Sequence, residues 1–323
     1  WSGDASVSIP FDLPPGPNGH APSLALGYSS NVVLDTLMQG SLGIGQEQWH
    51  STQASPFGYG WDVSGIPVVS AVPKVSEFGD VDAFDSARGY TLSVGGESVR
   101  LVFPRLDETR NTLTNNRYVF QTYPQRFMYV ARTRARNIHP TDSTRSCWYE
   151  DRWEVITKDG AHYEFGAPNN LGTNATDCPT PPEDRDAVMN MRFSGGIKAG
   201  MWYATRVWDT WANSIRYTYR RETATNGTHT WDAAVTIKQI NYGGKHENTP
   251  TPPPSGTATP ARGDNRVKVE FFEQAGNRED CTLHVAGNEW LCTAAQAPAG
   301  TWPHRSKYLI DRIDISVKNQ NDA

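Results

Sequence analysis

The chain has 323 residues, 37% of them hydrophobic, and a formal net charge of −5. That length accommodates one large β domain or two smaller ones, and the acidic balance opposes a general electrostatic footprint for nucleic acid. No run of 18 apolar residues occurs, so no membrane-spanning helix is expected.

In chain order, the first pattern is Ser8-Ile9-Pro10-Phe11-Asp12-Leu13-Pro14-Pro15-Gly16, followed by Ala21-Pro22-Ser23-Leu24-Ala25-Leu26-Gly27-Tyr28-Ser29-Ser30. These read as a strand, a Pro/Gly turn and an alternating strand. After a long loop, Phe57-Gly58-Tyr59-Gly60-Trp61-Asp62-Val63-Ser64-Gly65-Ile66 reads as a strand entered through glycines. The chain opens at Trp1 with no signal peptide, which reads as a processed form or an excised fragment.

Tyr90-Thr91-Leu92-Ser93-Val94 and Ser98-Val99-Arg100-Leu101-Val102-Phe103 flank Gly95-Gly96, a hairpin signal. Strands follow at 118–120 and 127–131. Trp153-Glu154-Val155-Ile156-Thr157 turns through Lys158-Asp159-Gly160 into Ala161-His162-Tyr163-Glu164-Phe165-Gly166. The clearest unit runs from Met201 to Asp209, turns at 210–212, and returns from Asn213 to Arg220. In its second arm Ile215, Tyr217 and Tyr219 share one face, and Arg216, Thr218 and Arg220 share the other. Further strands are expected at 233–242, 265–273, 281–284, 289–292 and 307–317. Helical periodicity is almost absent. Residues 166–196 read as a polar insertion and the Pro-rich stretch 249–262 as a long surface loop.

The cysteines are Cys147, Cys178, Cys281 and Cys292. None form a CxxC pair, so a structural zinc site is not expected. Four cysteines allow three pairings. Sequence proximity favours Cys147–Cys178 with Cys281–Cys292, each contributing roughly 3 kcal/mol by loop entropy. The alternative is four unpaired buried thiols. Disulfides would place the protein outside the cytoplasm. Asn174 and Asn226 open glycosylation sequons in expected loops.

The N-terminal block, with its Pro/Gly turn, Tyr28-Ser29-Ser30 and Gly58-Tyr59-Gly60-Trp61, resembles the opening of the bacterial SpvB/Tc-toxin-B/RHS family. Residues 202–219 resemble a degenerate YD (RHS) repeat: Asp209, Asn213, Tyr217 and Tyr219 match, Ala212 stands in place of the repeat's Gly, and Arg220 in place of its final Asp. The 153–166 hairpin and the strand from Tyr308 to Ile313 resemble further family segments. The resemblance implies an all-β fold, with many short antiparallel strands in a long curved sheet like the start of an RHS/YD-repeat shell. It implies a non-enzymatic encapsulation or scaffold role with no cofactor, and a secreted or cell-surface location for a toxin-related structural protein. Expected partners are flanking shell segments or other copies through sheet edges, and toxin cargo. The expected division is 1-75 as an SpvB-like strand region, 76-248 as β-hairpins with the degenerate repeat (201-220), 249-262 as a Pro-rich loop, and 263-323 as continuing strands.

Motifs of other chemistry favour bland readings. Asp80, Asp82 and Asp85 suit Ca²⁺ by oxygen chemistry, but the segment lacks the Gly and distal Glu of an EF-hand loop, and a solvated turn is expected. Arg262-Gly263-Asp264 is a short integrin-type tripeptide. Arg132, Arg134 and Arg136 alternate, and are read as a wet sheet face pairing with acids rather than a nucleic-acid surface. No Gly-x-Ser-x-Gly elbow, P-loop or HExxH occurs, so no catalytic residue is assigned. The alternative readings are an extracellular adhesin or carbohydrate-binding module, favoured by a row of exposed Trp such as Trp208 and Trp211, a self-assembling surface protein, and a glycoside hydrolase needing two carboxylates in a cleft.

Overall fold

The computed structural model describes residues 5–30, 55–58, 60–71, 89–109, 115–138, 146–169, 186–193, 196–226, 229–245, 266–274, 306 and 308–318. Sixteen strands carry these residues, with one 3-10 turn at Pro17–Gly19. The all-β expectation holds.

Three strands, β1 (Ser6–Pro10), β2 (Ala25–Ser29) and β3 (Trp61–Ser64), form a small antiparallel sheet. The other thirteen form one sheet. Its first part meanders through β4 (Val68–Ala71), β5 (Tyr90–Val94), β6 (Glu97–Leu106), β7 (Asn115–Tyr123), β8 (Tyr129–Ile138), β9 (Ser146–Ile156) and β10 (His162–Asn169). The strand β12 (Gly196–Trp208) then pairs with β4 through residues 201–203 and with β10 through residues 204–208. These two pairings close an eight-stranded antiparallel barrel, and five further strands lie outside it. The curvature expected of the sheet therefore runs to closure, which removes the edges of the meander.

The hairpins follow from the sequence. Gly95 and Gly96 sit at φ +60° and +79°, the left-handed backbone a two-residue turn needs, and Val94 faces Glu97 across it. Strand β5 alternates buried and half-buried along its length, so Tyr90 and Leu92 point into the barrel with Val69, Leu101, Val130, Val155 and Phe165. Each such large apolar side chain contributes roughly 1.5–3 kcal/mol by leaving water.

Beyond the barrel, β11 (Val188–Phe193) pairs with the start of β12, and β13 (Asn213–Asn226), β14 (His229–Lys245), β15 (Val267–Glu273) and β16 (Ile310–Val317) extend the sheet in order. The backbone N–H of Asn190 in β11 donates to the buried Asp232 of β14 at 2.6 Å. The N-terminal segment covers one face of this extension: Phe11, Leu13, Leu24 and Val63 join the cluster containing Ile240, Tyr242 and Val269. Tyr242 Oη donates to the Pro14 carbonyl at 2.6 Å, and the Phe57 and Phe271 rings meet edge-on at 6.1 Å.

Candidate functional site

The barrel meets its extension along β12, and the chemistry of the molecule gathers there. Alternation along β12 buries Trp202 and Ala204, then Val207. The switch of parity comes from a bulge: Phe165 faces Ala204 and Glu164 faces Arg206, leaving Thr205 as the extra residue. Three bonds hold the irregularity. Ala204 N–H donates to the Pro67 carbonyl at 2.9 Å, Thr205 Oγ1 donates to the Glu164 carbonyl at 3.3 Å, and Tyr219 Oη donates to the Ala204 carbonyl at 2.7 Å. Tyr219 thus fastens the first strand of the extension to the barrel wall. Its ring also lies 5.3 Å from that of Tyr203.

The end of β12 runs into the turn that carries Asp209 and Asn213. Asp209 Oδ1 accepts the backbone N–H groups of Trp211 (2.9 Å) and Asn213 (2.8 Å), and its Oδ2 accepts Asn213 Nδ2 (2.7 Å). Lys245 Nζ closes the arrangement from β14, donating to Asn213 Oδ1 and the Trp211 carbonyl at 2.9 Å each. Burial works to raise the Asp209 carboxyl, but the Asn213 and Trp211 hydrogen bonds and the nearby His20 hold it below the usual carboxylate range. Tyr217 and Tyr219 are buried, and burial pushes both phenols up, so they remain neutral donors. Ala212 adopts φ +61°, a conformation that suits the glycine its position carries in a YD repeat.

The second cluster lies inside the barrel, and the sequence reading missed it. The expected wet face of Arg132, Arg134 and Arg136 is corrected at Arg132, which is 1% exposed although it does pair with an acid; Arg134 is half-buried, and the side chain of Arg136 lies outside the described residues. It lies opposite Trp153 across β8 and β9, on the face that closure encloses. Its Nε and Nη2 donate to the two oxygens of buried Asp151 at 2.8 and 2.7 Å, and its Nη1 to Tyr90 Oη at 2.7 Å. The guanidinium also lies 4.6 Å from the Trp202 ring centroid and 5.4 Å from those of Trp153 and Tyr90. Trp153 in turn packs at 4.9 Å from Tyr90, 5.0 Å from Phe120 and 5.6 Å from Trp202. A buried ion pair needs such support, because desolvation otherwise outweighs its attraction. Gly166 makes room for the cluster at φ +78°: a Cβ there would stand 2.4 Å from the Asp151 carbonyl oxygen and 2.8 Å from Trp202 Cδ1. The signal available in the sequence was the continuation of the apolar face of Val130 by Arg132, with Asp151 two residues before a core Trp.

The remaining expected site residues scatter. Trp208 is half-buried and stacked on His162 at 5.0 Å, while Trp211 is exposed, so the pair forms no row of exposed rings. Asn226 ends β13 opposite His229. Cys147 lies in β9, and its side chain is outside the described residues, as are Cys178, Cys281, Cys292, Asn174, the 79–85 carboxylates and the 262–264 tripeptide. Among the described residues no His, Cys, Asp and Glu side chains group to hold a metal ion.

No family model matches the chain, and no curated protein matches it. Solved structures do. The crystal structure of TcdB2-TccC3-TEV aligns over 98% of this chain at 17% identity and a TM-score of 0.51. The N-terminal domain of the effector protein SpvB from Salmonella typhimurium aligns over 83% of this chain and 72% of its own, at 15% identity and a TM-score of 0.45. The Photorhabdus luminescens Tc holotoxin pore aligns over 85% of this chain at 17% identity and a TM-score of 0.47. This chain spans 13% of the length of the TcdB2-TccC3 polypeptide. The resemblance that residues 8–30, 57–66, 153–166 and 202–219 carry in the sequence therefore holds at the level of the fold: the chain shares the fold of a segment of TcdB2-TccC3.

Proposed function

We propose that the chain is a non-enzymatic β-shell or scaffold module, toxin-related and secreted or displayed at the cell surface, that encloses cargo or builds an assembly by sheet extension. The observation that carries this reading is the asymmetry of the sheet. One end is closed by β10 and β12, and the other runs through β13, β14 and β15 to β16, which among the described residues pairs with β15 alone. Among the described residues, Ile310 N–H is met from elsewhere, by the Pro56 carbonyl at 2.6 Å. The apolar face of β15 is buried, yet its continuation on β16 leaves Ile315 43% and Val317 59% exposed. An edge of this kind is a template for a further strand, from a flanking shell segment or another copy. The likeness to TcdB2-TccC3 supports the same reading. The expected divisions at 1-75, 76-248, 249-262 and 263-323, the Cys147–Cys178 and Cys281–Cys292 disulfides, and the structural roles of Asp209, Asn213, Tyr217 and Tyr219 belong to this proposal.

Hydrogen exchange tests it. In the 323-residue chain of 35.8 kDa the outward amides of β16 are expected to exchange fast, and in the native material isolated from its source they are expected to be protected, with an intact mass above that of this chain. Full protection of β16 in the 323-residue chain, or a native mass equal to it, overturns the shell reading.

A further inference from the structure

We infer that the outer barrel wall formed by β6 and the β7–β8 turn is a contact surface for the headgroup region of an anionic lipid bilayer. Phe103, Tyr123 and Phe127 are 67%, 67% and 76% exposed. They belong to one region. Tyr123 faces Arg100 across β6 and β7, and Phe103 stands three residues along β6 from Arg100, where the register with β7 shifts. Phe127 lies in the turn that follows Tyr123. That turn is held to the start of β6 by Arg126 Nε donating to Glu97 at 2.9 Å, and to β7 by Arg126 N–H donating to Thr122 Oγ1 at 2.8 Å.

Two of these rings are held out by the backbone itself. Leu101, Phe120 and Thr122 point inward, and simple alternation would send Phe103 the same way. Instead Phe103 adopts φ +52°, as does Phe127. Left-handed backbone strains any residue with a Cβ, and strain of this kind concentrates where a surface meets a partner. Exposed Arg100 and Arg105 flank the rings, with Arg126 beside them. Glu97 is paired with Arg126, and Asp107 lies 3.5 Å from Arg117.

The form of the surface selects the occupant. Residues 97–101 of β6 pair with β5 and residues 100–106 with β7, so at Arg100, opposite Tyr123, a peptide finds no edge to extend. The outer wall of a closed barrel is convex and offers a partner helix no groove. Aromatic rings with arginines on a convex wall fit the interfacial zone of a bilayer, where rings partition and cations meet anionic headgroups.

Co-sedimentation of the 323-residue chain with vesicles of phosphatidylcholine mixed with phosphatidylserine tests this. Binding is expected, with partition falling about fivefold for each of Arg100→Gln and Arg105→Gln. Phe127→Gly separates binding from folding. Glycine fits the backbone there, so the thermal midpoint holds or rises, while partition falls about tenfold or more through loss of the ring. Absence of vesicle binding by the parent chain overturns the inference, as does binding that Phe127→Gly leaves unchanged. Self-association abolished by Phe127→Gly without vesicle binding assigns the wall to a second copy, and likewise overturns it.

Discussion

The barrel and its extension are built from the same kind of strand, yet they manage their edges in opposite ways. The barrel turns a charged pair inward. Arg132 and Asp151 sit in its interior behind Tyr90, Trp153 and Trp202, and each of its strands has a neighbour on both sides. The extension buries acids as well, Asp232 and Glu222, and sets a further carboxylate at a turn. Asp209 accepts three hydrogen bonds at the mouth of a hairpin, and the sheet ends on β16 with apolar side chains in water. Closure makes a self-contained unit, whereas an open sheet depends on its turns for register and on a neighbour for its last strand.

The comparison breaks most visibly inside the barrel. Asp151→Leu leaves the guanidinium buried without its carboxylate, and is expected to cost about 3–5 kcal/mol in denaturant unfolding. Arg132→Met combined with Asp151→Leu removes both charges and is expected to recover most of that loss, since an apolar pair of similar volume is often neutral there. If the double variant is as unstable as the single one, the cluster is held by packing around Arg132 rather than by charge pairing.

Much of this contrast was legible in the residues, and the rest was not for definite reasons. The hairpins about Gly95-Gly96 and Asp159-Gly160 were readable because a left-handed turn between alternating strands leaves few alternatives. The 153–166 pattern was legible as a hairpin, but the purpose of its residues was not. Trp153 and Phe165 fill the barrel, and Gly166 gives way to Trp202 from a strand some forty positions later. Alternation told which residues share a face with Arg132, but not that the face is enclosed, because enclosure depends on the β10–β12 closure. The bulge at Thr205 was equally hidden: its cause is the partner strand. At the 209–213 turn, by contrast, most contacts are local, and Asp209 and Asn213 were named from the resemblance to a YD repeat.

The extension is sharpened at that turn. Asn213 is fully buried, and Asn213→Ala removes the Nδ2 donor from Asp209 and the Oδ1 acceptor from Lys245. A loss of about 1–3 kcal/mol is expected. Asp209 also predicts a pH dependence. Its folded value lies below its ordinary 3.8, so its stabilisation is present above the unfolded value and is lost as pH falls through the folded one. Asp209→Asn should therefore flatten the acid limb of the stability curve below about pH 4. An acid limb unchanged by Asp209→Asn would show that the turn carboxylate is not coupled to folding.

The smallest effect has the opposite sign. Ala212 holds φ +61° in a turn whose neighbours are already fixed: its N–H donates to the Asp209 carbonyl at 3.0 Å, and Asp209 N–H donates to the Asn213 carbonyl at 3.1 Å. The turn therefore cannot relax without breaking bonds on both sides, and the strain stays on the Cβ of Ala212. Glycine relieves that strain but adds backbone freedom to the unfolded chain, and the two terms partly cancel. Ala212→Gly is thus expected to raise the unfolding free energy by about 0.5–1 kcal/mol, read as a higher denaturant midpoint at unchanged slope. A gain confined to this position, absent when a glycine is placed on β13 beyond the turn, would mark the 209–213 turn as the strained hinge through which the barrel passes into the open sheet.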